Sequence, residues 1–288
     1  PDLNEELDDS QLTGTVKLAY HPNDNTLTYA SFATGYKAGG TNTDRILPSL
    51  SPLFDAEKSR SAEIGIKHDF EEYGVRVNAA AHYTQISDFQ ATTFTGTGFN
   101  LQNAGDIIVK GVELEATWLM TENTKLHAVA SRTLANFDEF KRGTCWVAYT
   151  WHTGIDDPGR VEPNDPFCSR DGDRVGFEPQ NSLSLMLNHY FEVGNYPASA
   201  SIDYQYTGDV FLDDANDPYK YADDFSLFNV RVSFTIPQWD SEIIAWSRNV
   251  FDEEYVARSG FDVPVQTGKI MAYPGAPRSF GVTFRKSF

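Results

Sequence analysis

Alternation with a period of two runs through this chain, and it constrains the fold more than any other feature. Residues 198–207 place Ala198, Ala200, Ile202, Tyr204 and Tyr206 on one side and Ser199, Ser201, Asp203, Gln205 and Thr207 on the other. Successive side chains of a strand point to opposite faces, so this segment reads as a strand with one apolar and one wet face. The pattern recurs. Val112, Leu114, Ala116 and Trp118 oppose Glu113, Glu115 and Thr117. Val75, Val77, Ala79, Ala81 and Tyr83 oppose Arg76, Asn78, Ala80 and His82, and Phe228, Val230, Val232 and Phe234 oppose Asn229, Arg231 and Ser233. Helical periodicity is nowhere sustained. Eleven strands are expected, near 11–20, 26–37, 58–70, 74–88, 107–119, 125–135, 181–192, 198–207, 224–236, 241–250 and 277–288.

The breaks between strands are unequal. Short turns at 21–25, 71–74, 121–124, 194–197 and 237–241 alternate with long connections at about 39–56, 90–104, 136–179, 208–223 and 252–276. That rhythm fits an up-and-down antiparallel sheet. Two architectures use such a sheet. A soluble sandwich or propeller buries the apolar face in a core, whereas a transmembrane barrel turns it toward lipid. Three features favour the barrel. The strands run about 10 residues or more, the length a tilted membrane strand needs. Short turns on one rim and long loops on the other are the bacterial outer-membrane pattern. Aromatics stand near strand ends (Tyr20, Tyr83, Trp118, Tyr190, Tyr206, Trp239, Phe288), as an interfacial girdle requires. In strand 241–250 the facing is ambiguous, because Ile244 and Trp246 compete with Ile243 and Ala245.

Composition excludes other classes. No apolar run reaches about 18 residues, so a membrane-spanning helix is excluded, though alternation leaves a barrel open. The 20 Phe, 14 Tyr and 5 Trp argue against disorder. A net charge of −18 argues against a nucleic-acid partner, which needs a basic face. The chain opens Pro1-Asp2-Leu3 without a secretory leader pattern and reads as mature or truncated. Eleven strands pose a difficulty, since single-chain bacterial barrels close with an even number.

Several segments resemble TonB-dependent outer-membrane receptors. They are Tyr29-Ala30-Ser31-Phe32 with Gly35-Tyr36-Lys37-Ala38-Gly39-Gly40, Glu57-Lys58-Ser59 with Glu63-Ile64-Gly65-Ile66-Lys67, and Asn103-Ala104-Gly105 with Lys110-Gly111-Val112-Glu113-Leu114-Glu115. Asn249-Val250-Phe251-Asp252-Glu253-Glu254-Tyr255 and Pro274-Gly275-Ala276-Pro277-Arg278 follow in family order. Ala56 and Val250 depart from the family's usual Pro and Leu. The resemblance implies an all-β fold. It would be the C-terminal half of a plugged barrel of about 22 strands, with the plug, its TonB-contacting segment and the first barrel half outside this chain.

The resemblance also implies roles for particular residues. Phe284 and the terminal Phe288 would signal to the barrel-assembly machinery through strand pairing. Cys145 and Cys168, 23 residues apart in the longest connection, are expected to form a disulfide, since the route to the outer membrane is oxidising. In the same connection Trp146, Tyr149, Trp151, His152 and Phe167 offer aromatic contacts to an organic ligand. Arg142, Arg170 and Arg174, with Arg45 and Arg160, would meet an anionic chelate. Asp213, Asp214 and Asp217 are a candidate group for a structural Ca2+, bridging to lipopolysaccharide, although they lack EF-hand spacing. No other cofactor and no catalytic constellation is expected. Glu113, Glu115, Asn188, Asp203, Asn229, Arg231 and Arg285 would face the lumen. The function implied is active, TonB-energised uptake of a ferric siderophore or other iron chelate across the bacterial outer membrane. A glycan or vitamin transporter, a passive porin and a soluble β-rich binding protein are the alternatives.

Overall fold

The computed structural model describes residues 6–43, 51–94, 99–146, 156–162, 167–262 and 269–287. The long strands are β1 (Gly14–Asn23), β2 (Thr26–Lys37), β3 (Glu57–Phe70), β4 (Val75–Ser87), β5 (Asp106–Thr121) and β6 (Thr124–Glu139). They continue as β7 (Asn181–Val193), β8 (Tyr196–Thr207), β9 (Phe225–Ile236), β10 (Ser241–Arg248) and β11 (Ser279–Lys286). All eleven form one antiparallel sheet in sequence order. Among the described residues β1 pairs only with β2 and β11 only with β10, so both edges of the sheet are open.

The register sorts the side chains as the alternation requires. One row runs Thr28–Ile66–Ala79–Leu114–Ala130–Leu183–Tyr206 across seven strands. The adjacent row, on the other face, runs Tyr29–Gly65–Ala80–Glu113–Ser131–Ser182–Thr207. Because the side-chain period is two, a one-residue slip would exchange these faces completely. The apolar face carries no core over it. Leu18 is 72% exposed, Ile64 64% and Val282 73%, values that suit lipid and not water. The opposite face is laced by polar pairs, among them Ser61 with Thr84, Asn78 donating to Glu115, and Arg285 donating to Glu242. Glu113, Glu115, Asn188, Asp203, Asn229, Arg231 and Arg285 all lie on this polar face. This is the transmembrane antiparallel up-and-down barrel architecture, present here as eleven strands.

Local packing settles what the pattern left open. In β10, Ile243 and Ala245 pair with Phe284 and Val282 on the apolar face, and Ile244 and Trp246 point the other way. Gly281 lies opposite Trp246, and a Cβ there would come within 2.6 Å of the indole. The glycine therefore leaves room for the ring, whose Nε1 donates to Thr283 Oγ1 at 3.2 Å. Tyr29 covers Gly65 in the same way. Tyr190 departs from the girdle expectation. It pairs with Ser199, on the polar face, while its neighbours His189 and Phe191 face outward.

The long connections are more ordered than their polarity suggests. Each contains a two-stranded ribbon: Gly40–Thr41 with Leu53–Phe54, Gln90–Phe94 with Phe99–Asn103, Gly143–Thr144 with Phe167–Cys168, Val210–Phe211 with Tyr221–Ala222, and Val256–Asp262 with Ile270–Pro274. β6 extends to Glu139, four residues past its expected end, because Ala135 and Phe137 continue the alternation into a buried cluster. That cluster, Ala91, Ala104, Ile107, Phe137 and Phe140, is packed by Phe89 and Val175 at the long-loop rim. The hydrophobic core thus lies among the loops, because the membrane strands have lipid to cover them.

Candidate functional site

All five long connections leave the same end of the sheet, so they crowd together and cross-link. The first and second are joined by paired amides. Asn42 Nδ2 donates to the Leu101 carbonyl, and the Leu101 N–H donates to Asn42 Oδ1, both at 2.8 Å. Gln90 Nε2 donates to the carbonyls of Ala38 and Asp55. Asn103 accepts from the Asp55 N–H at 2.7 Å and donates to its carbonyl at 3.0 Å. Gln102 carries the chain of contacts to the third connection by donating to the Arg142 carbonyl. The fifth joins at the far side, where Tyr255 stacks on Phe225 with ring centroids 4.2 Å apart.

The third and fourth connections share the most buried group. Cys145 and Cys168 are disulfide-bonded, with Cα atoms 5.1 Å apart. Beneath the bridge, Asp157 is wholly buried and accepts from the Trp146 N–H at 2.9 Å, the Gly159 N–H at 2.8 Å and Arg170 Nη2. Arg170, 2% exposed, also donates from Nη1 to the Ala215 carbonyl at 2.6 Å and to Asp173 at 3.2 Å. Trp146 Nε1 donates to that same carbonyl at 2.7 Å. A buried charge pair survives only when its remaining hydrogen-bonding capacity is also met, and Asp157 meets this with two backbone amides. Burial holds the Asp173 carboxyl above its usual range despite Arg170 nearby.

Arg174 makes a second junction. It donates to the Asp209 carboxylate at 2.7 Å and to the Asp209 carbonyl at 2.9 Å. Its hydrogen bond holds Asp209 below the usual carboxylate range. Burial and a hydrogen bond to Asp209 push Tyr221 up to about 12. Asn216 clamps the Arg174 backbone from both sides, accepting from its N–H and donating to its carbonyl.

These contacts place the expected site residues. Arg170 and Arg174 are turned into the loop layer. Arg142 is exposed, with its guanidinium 4.3 Å from the centroid of the buried Phe167 ring. Trp146 is half-buried at the junction. Tyr149, Trp151, His152, Arg45 and Phe288 lie outside the described residues. Phe284 projects from the apolar face opposite Ile243 and is 60% exposed. Each carboxylate of the candidate cation group is engaged by protein. Asp213 pairs with Lys220 at 2.9 Å, Asp214 accepts from the Gly176 N–H at 2.9 Å, and buried Asp217 accepts from the Tyr219 N–H at 2.9 Å. Burial raises Asp214 above its usual range.

Sequence reasoning passed over Asn42, Gln90 and Asp157, and took Asn103 only as part of a family motif, without its role of joining two connections. Only Asp157 carried a local signal. Asp157-Pro158-Gly159 is a turn sequence, and its carboxylate takes the N–H two residues on, as Asp217 does before Pro218. The arrangement forms a stiff outward surface with exposed aromatic and basic groups at its edge. It is suited to recognising a ligand.

A family model described as TonB-dependent receptor-like β-barrel matches residues 3–250. The pesticin receptors of Yersinia enterocolitica and Yersinia pestis are 35% identical over 113 residues, which is 38% of this chain and 16% of theirs. Among solved structures, the ferric yersiniabactin uptake receptor FyuA of Yersinia pestis superposes with a TM-score of 0.74 at 22% identity, covering 97% of this chain and 38% of that one. The siderophore receptor PiuA of Acinetobacter baumannii gives 0.66 at 17% identity, covering 94% of this chain and 35% of its own. This chain therefore spans a minority of each relative's length. With its lipid-facing apolar belt, loop-bearing rim and ordered motifs, it belongs to the TonB-dependent receptors, as part of the β-barrel that these proteins place in the Gram-negative outer membrane.

Proposed function

We propose that this chain forms the C-terminal half of a barrel of about 22 strands, closed around an N-terminal plug. The whole receptor takes up a ferric siderophore or a related iron chelate, energised through the TonB complex. The observation that carries this reading is the cross-linked loop layer. It holds a recognition surface in one shape over the mouth of the barrel, which a passive pore does not need. The similarity to a pesticin receptor, a ferric yersiniabactin uptake receptor and a siderophore receptor supports an iron chelate as the cargo. Binding is a recognition event without covalent chemistry. The exposed Arg142, held against the buried Phe167 ring, offers a cation to an anionic chelate. Tyr149, Trp151 and His152, between the cysteines in sequence, are proposed as further ligand contacts. Arg170 and Arg174 support the recognition surface from beneath. Phe284 and Phe288 present the last strand to the barrel-assembly machinery.

The experiment is uptake of radioiron-labelled ferric chelates by cells with and without the receptor, under iron limitation. Receptor-dependent accumulation that is abolished by deleting TonB is the expected result. Equal accumulation in both strains for every chelate class overturns the iron reading, and TonB-independent accumulation overturns active transport.

A further inference from the structure

The polar face of the last strands carries two arginines that the chain does not neutralise. Arg231 lies in register between Ser201, near the middle of β8, and Trp246 of β10. Arg248 stands two residues after Trp246 on the same face, opposite Ser279. Elsewhere on this face strand register sets cation against acid, Arg76 against Asp69 and Arg285 against Glu242. Here it sets each arginine against a serine. Both arginines are exposed, and among the described residues neither makes an ion pair or a hydrogen bond. Asp203, diagonal to Arg231, pairs with neither of them. Trp246 stands between the two. Its ring lies over Gly281, where a Cβ would come within 2.6 Å, and its Nε1 donates to Thr283 Oγ1 at 3.2 Å, so the indole is pinned against the sheet. The Arg248 guanidinium carbon is 5.2 Å from the ring centroid. A cation–π contact holds a guanidinium by its face and leaves the N–H donors at its edge unspent.

A guanidinium offers a rigid fork of N–H donors that matches paired anionic oxygens. Two such forks about one indole, each facing a serine and not an acid, suit an anion that carries several charged oxygens. The barrel proposed above turns this face to its lumen, below the loop layer, so cargo that has left the loops passes it. We propose that Arg231 and Arg248, the latter held in place by Trp246, form a relay site on the lumen wall for an anionic ferric chelate in transit. Its carboxylate or catecholate oxygens accept hydrogen bonds from the two guanidinium groups. The site rests on the uptake reading and adds to it the charge of the cargo and a second station on its path.

The test uses cells expressing the full receptor and three radioiron probes: the anionic ferric complexes of a tricatechol and of citrate, and an electroneutral ferric trihydroxamate. Surface binding is read on cells lacking TonB, and import on cells that have it. Arg231→Gln combined with Arg248→Gln should leave surface binding of an anionic probe unchanged and slow its import on the order of tenfold. Trp246→Leu keeps both charges and should slow import roughly threefold, which keeps the test decisive if the double variant fails to reach the membrane. Lys67→Gln, on the polar face of β3, removes a cation away from the site and should import as wild type. Import of the anionic probe unchanged in either variant overturns the proposal. So does surface binding that falls as far as import, or equal slowing of the trihydroxamate. A wild-type receptor that imports only the electroneutral probe overturns the relay site and leaves the iron reading standing, whereas one that imports none of the three overturns both.

Discussion

Removing the Asp157 carboxylate should release the outer loop layer while leaving the sheet intact. Asp157 is fully buried and serves three donors: Arg170, the Trp146 N–H and the Gly159 N–H. Asp157→Ala strands all three and leaves a 2% exposed guanidinium with Asp173 as its remaining carboxylate partner. Breaking a buried pair by removing one partner costs about 3–5 kcal/mol. At 1.36 kcal/mol per decade, local opening should become roughly 150 to 5,000 times more frequent. Hydrogen exchange read by mass spectrometry checks this. Peptides covering Trp146, Gly159 and Arg170 should exchange faster by that factor, while β6 from Thr124 to Arg132 stays protected. Asp157→Ala combined with Arg170→Met removes both charges and should recover most of the protection, since an apolar replacement of a buried pair is often neutral. Unchanged exchange in the single variant, or a double variant as open as the single one, refutes the reasoning.

Other outcomes follow from the same geometry. Replacing both Cys145 and Cys168 by Ser should cost the loop layer about 3 kcal/mol of constraint on a closed loop of this size. Limited proteolysis should then cut the third connection, while heat-modifiable gel migration of the barrel is retained. Asp214→Asn keeps an acceptor for the Gly176 N–H and removes a charge that burial disfavours. The folded carboxyl is raised above its unfolded value, so its favourable contribution is present below the ordinary 3.8 and lost as pH rises through the folded value. The variant should therefore match wild type in acid and be equal or more stable at neutral pH, read as loop protease resistance against pH. Asp209, held low by Arg174, has the opposite sign. Asp209→Asn should cost stability above the ordinary carboxylate value and nothing once acid has protonated the wild type. Gly65→Ala brings a Cβ within 2.4 Å of the Tyr29 ring and should lower the urea midpoint in detergent, with partial recovery when Tyr29→Ala removes the ring.

What could be read from sequence was what repeats. Alternation located all eleven strands and sorted nearly every side chain to its face, because a strand's period of two is a local property. It went wrong where local apolarity was even on both sides. Tyr190 looks like a girdle residue until the pairing with Ser199 puts it on the polar face. Ile243 and Ile244 cannot be told apart until Gly281 makes room for Trp246. The family motifs supplied architecture and location, again from short segments. The roles of charged loop residues were not legible, because a loop carries no period. Arg170 and Arg174 looked like ligand contacts, and only their partners Asp157, Asp209 and Ala215, 13 to 45 residues away, show that they hold the loops together. The acids Asp213, Asp214 and Asp217 looked like a cation cluster, and each is matched to its own donor. The sequence by itself determined the faces of the sheet, because each follows from one residue's neighbours. Which charges meet across the loops and across strands was decided by tertiary structure, because those distances depend on how the whole chain closes on itself.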